Sequence, residues 1–171
     1  NMGDAWDFDW VRLDEMGSTY RMSSVQAAVG RVQLKKLDSL IRKRTDIAMR
    51  YNQTINKIKG LKEIEILPNS KHAWHLFSFF ITSDSKIDRD ELVDKLADQY
   101  NIEITIRFFP INLNGLLRMD GCEQGGCNLC GKLENIEKIW FHEQMSLPIS
   151  PQMIDKEIEY VKESLINIFS V

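Results

Sequence analysis

Between Val25 and Ile58 apolar residues return every three or four positions, at Val25, Val29, Val32, Leu37, Leu40, Ile41, Ile47, Tyr51, Ile55 and Ile58. That is the spacing of one helical face, and so long a helix obliges the rest of the chain to build its core against part of it. The start is marked by Ser23-Ser24-Val25-Gln26, a Ser-x-x-Gln capping box. Since globular helices usually run roughly 8 to 20 residues, a break is expected near Leu37-Asp38, with Asp38 recapping the second half. Gly60 is expected as the C-terminal cap.

Beyond Gly60 the period falls to two. Glu63 to Leu67 reads as a short strand, Pro68-Asn69-Ser70 as a turn, and Ala73 to Thr82 as a strand apolar on both faces, which places it mid-sheet. Asp88 to Glu91 is a second capping box, opening a helix with a stripe of Leu92, Val93, Leu96, Ala97 and Tyr100. Ile102 to Phe109 alternates as a half-buried strand, and residues 110–131 read as a long loop. Lys132 to Met145 reads as a helix, Ser146 to Ile149 as an edge strand and Ile154 to Phe169 as a final amphipathic helix. The sum is an α+β domain, a small and mainly antiparallel sheet covered by helices and preceded by the long N-terminal helix. Its expected organisation is a loop over 1–22, the helical segment over 23–60 and the small α/β domain over 61–171.

The composition narrows the chemistry. With 171 residues, 43% apolar, 27% charged and a formal net charge of -3, the chain fits one soluble globular domain. No apolar run approaches the roughly 20 residues of a membrane helix, and no signal peptide is seen. A slightly acidic balance lacks the basic footprint of nucleic-acid binding, and Lys35, Lys36, Arg42, Lys43 and Arg44 interleave with Asp38 and Asp46 as a solvated helix face. Three cysteines are too few for a disulfide framework, so a cytoplasmic location is expected. Cys122, Cys127 and Cys130 form C-x4-C-x2-C without a fourth cysteine; His142 would complete a zinc site only by folding back, so no metal is expected. His72 and His75, three apart, would point to opposite faces of a strand and not converge on an ion. There is no G-x-S-x-G elbow, Walker loop or dinucleotide loop, and no catalytic centre is expected in these residues. The opening at Asn1, rather than Met, is expected to mark a piece of something longer.

One loop carries more. Gly17-Ser18-Thr19-Tyr20-Arg21-Met22 feeds straight into the long helix, where free N–H groups and the positive dipole end favour an anion. Thr19 would add a hydroxyl and Arg21 a full charge. On spacing alone the plainer account, Ser23 capping the helix and Arg21 in a structural ion pair, is the stronger.

The run from Gly17 to Asp38, with Tyr20-Arg21-Met22 and Gln26-Ala27-Ala28 at its heart, is followed by Arg44, Ala48, Arg50, Tyr51 and Asn52. Then come His72-Ala-Trp-His-Leu-Phe77, Ile106-Arg-Phe-Phe-Pro110 and Ser146-Leu-Pro-Ile-Ser-Pro151. In this order they resemble the DegT-type sugar aminotransferases, pyridoxal-phosphate enzymes of fold type I, over nearly the whole chain. The resemblance implies the small C-terminal domain of such an enzyme, whose large N-terminal domain holds pyridoxal 5'-phosphate on a lysine. The usual Ser-x-His-x-x-Lys context of that lysine is absent here, so the chain alone is expected to be inactive. The resemblance further implies that the loop reaches the cofactor phosphate of a neighbouring subunit, with Thr19 where the family usually has asparagine and with Tyr20 and Arg21 shaping the shared site. Arg107 and Phe108 stand where the family often has His-Tyr facing the sugar. Arg107 would meet a nucleotide diphosphate bidentately, a pair with Glu103 being the equal alternative. A nucleotide-linked keto sugar as substrate, glutamate as amino donor, a homodimer, and no contact with nucleic acid or membrane follow as expectations. Two rivals are a non-catalytic dimerisation module on the same scaffold and a redox or zinc domain. The sugar, the nucleotide, the position aminated and the choice between transaminase and dehydratase stay open.

Overall fold

The computed structural model describes residues 20–110, 113 and 133–170. The chain divides into two units between Leu37 and Asp38.

In the first unit the capping box forms as expected. The Ser23 N–H donates to Gln26 Oε1 at 2.9 Å, and the Gln26 N–H donates to Ser23 Oγ at 3.2 Å. Helix α1 then runs unbroken over Ser24–Ile55. The break expected at Leu37-Asp38 is not there: Asp38 does not cap, and its carboxylate pairs with exposed Lys71 at 3.2 Å. With no proline and only Gly30 inside it, nothing in the sequence interrupts the helix. Val25, Val29, Val32 and Leu37 are all exposed, whereas Ile47, Ala48, Tyr51 and Ile55 are buried. The apolar spacing is therefore continuous while its burial is not.

The second unit holds a three-stranded antiparallel sheet in the order β1 (Leu61–Glu63), β2 (Phe77–Ile81), β3 (Gln144–Leu147). β2 is central, as expected, although the two apolar faces read from the sequence reduce to one within the strand as formed. Phe77, Phe79 and Ile81 on one face, with Met145 and Leu147 of β3, meet the buried residues of α1 together with Leu92 and Leu96 of α2 (Arg89–Tyr100) and Ile158, Val161 and Leu165 of α4 (Asp155–Phe169). Burying a phenylalanine fully contributes roughly 1.5–3 kcal/mol, so Phe77 and Phe79 anchor this layer. The other face is polar: Ser78 Oγ lies 2.9 Å from Ser146 Oγ, and Gln144 Nε2 donates to both hydroxyls at 3.3 and 3.1 Å.

Five expected boundaries shift. α1 stops at Ile55, so Gly60 is not its cap; the Gly60 φ of +95° instead lets the chain turn into β1, its carbonyl accepting from the Thr82 N–H at 2.8 Å. β1 begins at Leu61 rather than Glu63, and β2 at Phe77 rather than Ala73, because Trp74 takes a left-handed turn (φ 51°) that ends regular pairing. The expected strand Ile102–Phe109 contributes a single bridge, Thr105 to Ser146, with bonds of 3.1 and 2.9 Å. Its first donor is already used: left-handed Asn101 closes α2, and the Ile102 N–H turns back to Leu96 O at 2.9 Å. The expected helix Lys132–Met145 shrinks to α3 (Glu134–Lys138), followed by a π turn over Ile139–Glu143. Gln144 and Met145 leave it because pairing with Phe80 and Phe79 buries both.

Candidate functional site

In the first unit the loop-to-helix junction is open. Tyr20 is 85% exposed with φ 46°, Arg21 is exposed, and among the described residues Arg21 has no ion-pair partner. The capping box occupies the Ser23 and Gln26 N–H groups and Ala27 bonds back to Ser23 O. The Ser24 and Val25 N–H groups meet no acceptor among the described residues. Two donors at a dipole's positive end beside a guanidinium, all without a partner among the described residues, suit a phosphate group. Thr19 lies outside the described residues.

In the second unit Arg107 and Phe108 are exposed, Phe108 by 69%. No pair forms between Arg107 and Glu103, and among the described residues neither has an ion-pair partner. The segment is held from both sides. Upstream, Thr105 bridges to β3. Downstream, the Phe109 ring packs edge-on to Trp140 in the π turn, with centroids 5.1 Å apart and planes at 82°. Beneath them Arg89, 9% exposed, donates from Nη1 to the Trp140 carbonyl. The sequence reading took Asp88-Arg89 only as part of a cap, and missed it. The signal was available: a cation in the first turn opposes the helix dipole, so its side chain is retained for another contact.

An open groove of about 950 Å³ lies beside this segment and is lined by Ile102, Glu103 and Thr105, by β3 and its exit to Ser150, and by α4 around Tyr160. Tyr160 donates its hydroxyl to Tyr100 O at 2.9 Å. Tyr51 donates to Pro148 O at 3.1 Å, and burial pushes its hydroxyl pKa up, so it stays a neutral donor. Neither Arg107 nor Phe108 lines the groove.

His72 and His75 lie outside any strand. Nδ1 of His72 accepts from the Trp74 N–H at 3.1 Å, and its ring meets Trp74 edge-on at 4.3 Å, so it shapes the turn into β2; exposed His75 lines the groove. Among the described residues no group of His, Cys, Asp and Glu is placed to hold a metal, and none of their helices is long and apolar enough to cross a membrane. Cys122, Cys127 and Cys130 lie outside the described residues.

Residues 2–166 match the DegT/DnrJ/EryC1/StrS aminotransferase family. An uncharacterised protein of Methanocaldococcus jannaschii is 33% identical over 98% of this chain and 43% of its own length. The spore coat polysaccharide biosynthesis protein SpsC of Bacillus subtilis is 28% identical over 93% of this chain and 42% of its own. A UDP-4-amino-4,6-dideoxy-N-acetyl-beta-L-altrosamine transaminase of Campylobacter jejuni is 28% identical over 95% and 40%. The chain thus spans about two fifths of the relatives it matches. Among solved structures, DesV of S. venezuelae, in complex with a ketimine intermediate, superposes with a TM-score of 0.73 at 24% identity over 92% of this chain and 39% of that one. PseC of Helicobacter pylori, an aminotransferase of pseudoaminic acid biosynthesis, gives 0.70 at 21% over 93% and 40%. With its three-stranded antiparallel sheet, its long leading helix and these matches, the chain belongs to the DegT/DnrJ/EryC1/StrS aminotransferase family and has the small-domain fold of the fold type I enzymes.

Proposed function

We propose that this chain is the C-terminal domain of a pyridoxal-phosphate-dependent aminotransferase acting on a nucleotide-linked keto sugar, and that the reactive lysine belongs to another part of that enzyme. The observation that carries the reading is the family match over residues 2–166. It is supported by transaminase relatives whose names specify UDP- and dTDP-linked amino sugars. A sugar aminotransferase from Streptococcus pneumoniae with the same fold is known in PLP and PMP forms.

Pyridoxal phosphate supplies the electron sink for amino transfer when bound. This chain's part is to hold and orient. Arg21 and the Ser24 and Val25 N–H groups hold the cofactor phosphate, Thr19 adds its hydroxyl, and Tyr20 walls the site. Arg107, unpaired among the described residues, meets the nucleotide diphosphate with its planar fork, and Phe108 packs against the sugar nucleotide. Glutamate as donor, a homodimer sharing the site, and a cytoplasmic location complete the reading. The described lysines favour the absence of the reactive amine: none is buried, and the two least exposed, Lys95 and Lys162, are paired with Glu91 and Glu159.

The test is chemical. The chain is incubated with pyridoxal phosphate, reduced with borohydride and mapped by mass spectrometry. The expected result is sparse labelling spread over surface lysines; one stoichiometric pyridoxyl group on a single lysine would defeat the reading.

A further inference from the structure

Arg89 occupies the first position of α2, where the dipole disfavours a cation. Yet its side chain is buried and each of its three nitrogens donates a hydrogen bond. Nε and Nη2 donate to Asp90 Oδ1 at 2.8 and 2.6 Å, and Nη1 donates to the Trp140 carbonyl at 2.5 Å. Desolvating a guanidinium is expensive unless such bonds offset it, so the Trp140 carbonyl is held tightly. Trp140 sits in the π turn, edge-on to Phe109 at 5.1 Å and to Phe141 at 4.8 Å. Phe109 is two residues from Arg107, whose segment is pinned on its other side by the Thr105–Ser146 bridge.

We infer that Arg89 is a positioning residue for Arg107: by holding the Trp140 carbonyl it fixes the ring on which Phe109 rests, and with it the direction in which residues 107–109 present the Arg107 guanidinium to a diphosphate. The inference rests on the reading of Arg107 given above. It assigns the buried cation a task that no cap or core contact explains. The coupling passes through packed rings and one carbonyl, so it is local and short.

The experiment titrates UDP into the full 171-residue chain by calorimetry, comparing the unaltered protein with Arg107→Gln, Arg89→Gln and the double variant. Each single change is expected to weaken UDP about tenfold, and the double variant to bind no more weakly than Arg107→Gln alone, since residues acting as one unit are not additive. Arg89→Lys, which keeps one donor for the carbonyl, should recover most of the loss. Should Arg89→Gln fail to fold, Phe109→Leu breaks the next link without touching the buried charge, and the same non-additivity with Arg107→Gln is expected. Additive losses, or full affinity in Arg89→Gln and Phe109→Leu while Arg107→Gln is weakened, overturn the inference alone. An Arg107→Gln chain with unchanged affinity, or no UDP binding by the unaltered protein, overturns the reading of Arg107 and the inference with it.

Discussion

At Gly60 the backbone itself decides the residue. Its φ of +95° lies where side chains are rarely tolerated, and an added Cβ would stand 2.4 Å from the Cα of Ser85. Backbone cannot yield as a flexible side chain would, so Gly60→Ala is expected to lower stability by about 2–4 kcal/mol. Urea unfolding followed by circular dichroism measures it, and a loss under half a kilocalorie would show that the loop at Ser85 moves aside freely. The sequence marked Gly60 as special for the wrong task, because a glycine after a helical run reads as a cap and its contact partner lies 25 positions away. Arg21 was singled out by its place before a helix start and Arg107 only through the resemblance. Their freedom from ion pairs among the described residues is a structural fact that spacing could not supply, since Glu103 stood within reach on paper.

Among elements, α1 and α4 are joined by one arginine. Arg50 extends Nη1 to Asp155 Oδ1 and Nη2 to Glu159 Oε1, each at 2.6 Å, and Lys162 reaches the same Glu159. Hydrogen bonding from Arg50 first and Lys162 second holds the Glu159 carboxyl below its ordinary 4.5, while Glu159 and then Asp155 hold the Arg50 guanidinium charged. A carboxylate whose folded value is depressed stabilises fully above its unfolded value, and that contribution fades as pH falls through the folded one. Arg50→Gln is therefore expected to lower the urea midpoint modestly at neutral pH, the gap from the unaltered protein closing as acid protonates the Glu159 carboxylate. A gap that persists unchanged in acid would assign the effect to lost packing of the arginine stem. The Ser23 capping box, α2 and α4 were readable from sequence because their signals are local: Asp88 does accept from the Glu91 N–H at 2.8 Å, although the Glu91 carboxylate goes to Lys95 rather than closing the expected box, and α4 begins one residue after the expected Ile154. The stretches 102–109 and 132–145 were not, because their fate turns on β3, which takes Gln144 and Met145 from a helix and gives Thr105 one bridge.

For the whole molecule, the first unit leaves Val25, Val29 and Val32 exposed by 74, 57 and 51% on one helical face. An apolar stripe left in water promotes self-association. Val29→Glu is expected to raise the protein concentration at which light scattering appears while leaving the melting temperature within about two degrees; unchanged scattering would show that the stripe is not sticky. At this scale the sequence spoke chiefly through resemblance, for periodicity describes elements and is silent on what a chain two fifths the length of its relatives assembles with. The hydroxyl and amide trio of Ser78, Gln144 and Ser146 has its own bearing on assembly, since Ser78 and Ser146 are 68 positions apart. Were the two strands to misalign by a single step, the trio would be thrust into hydrocarbon and Met145 and Leu147 driven outward. These three side chains thus act as a checksum on alignment, rejecting any pairing of the two strands displaced by an odd number of positions.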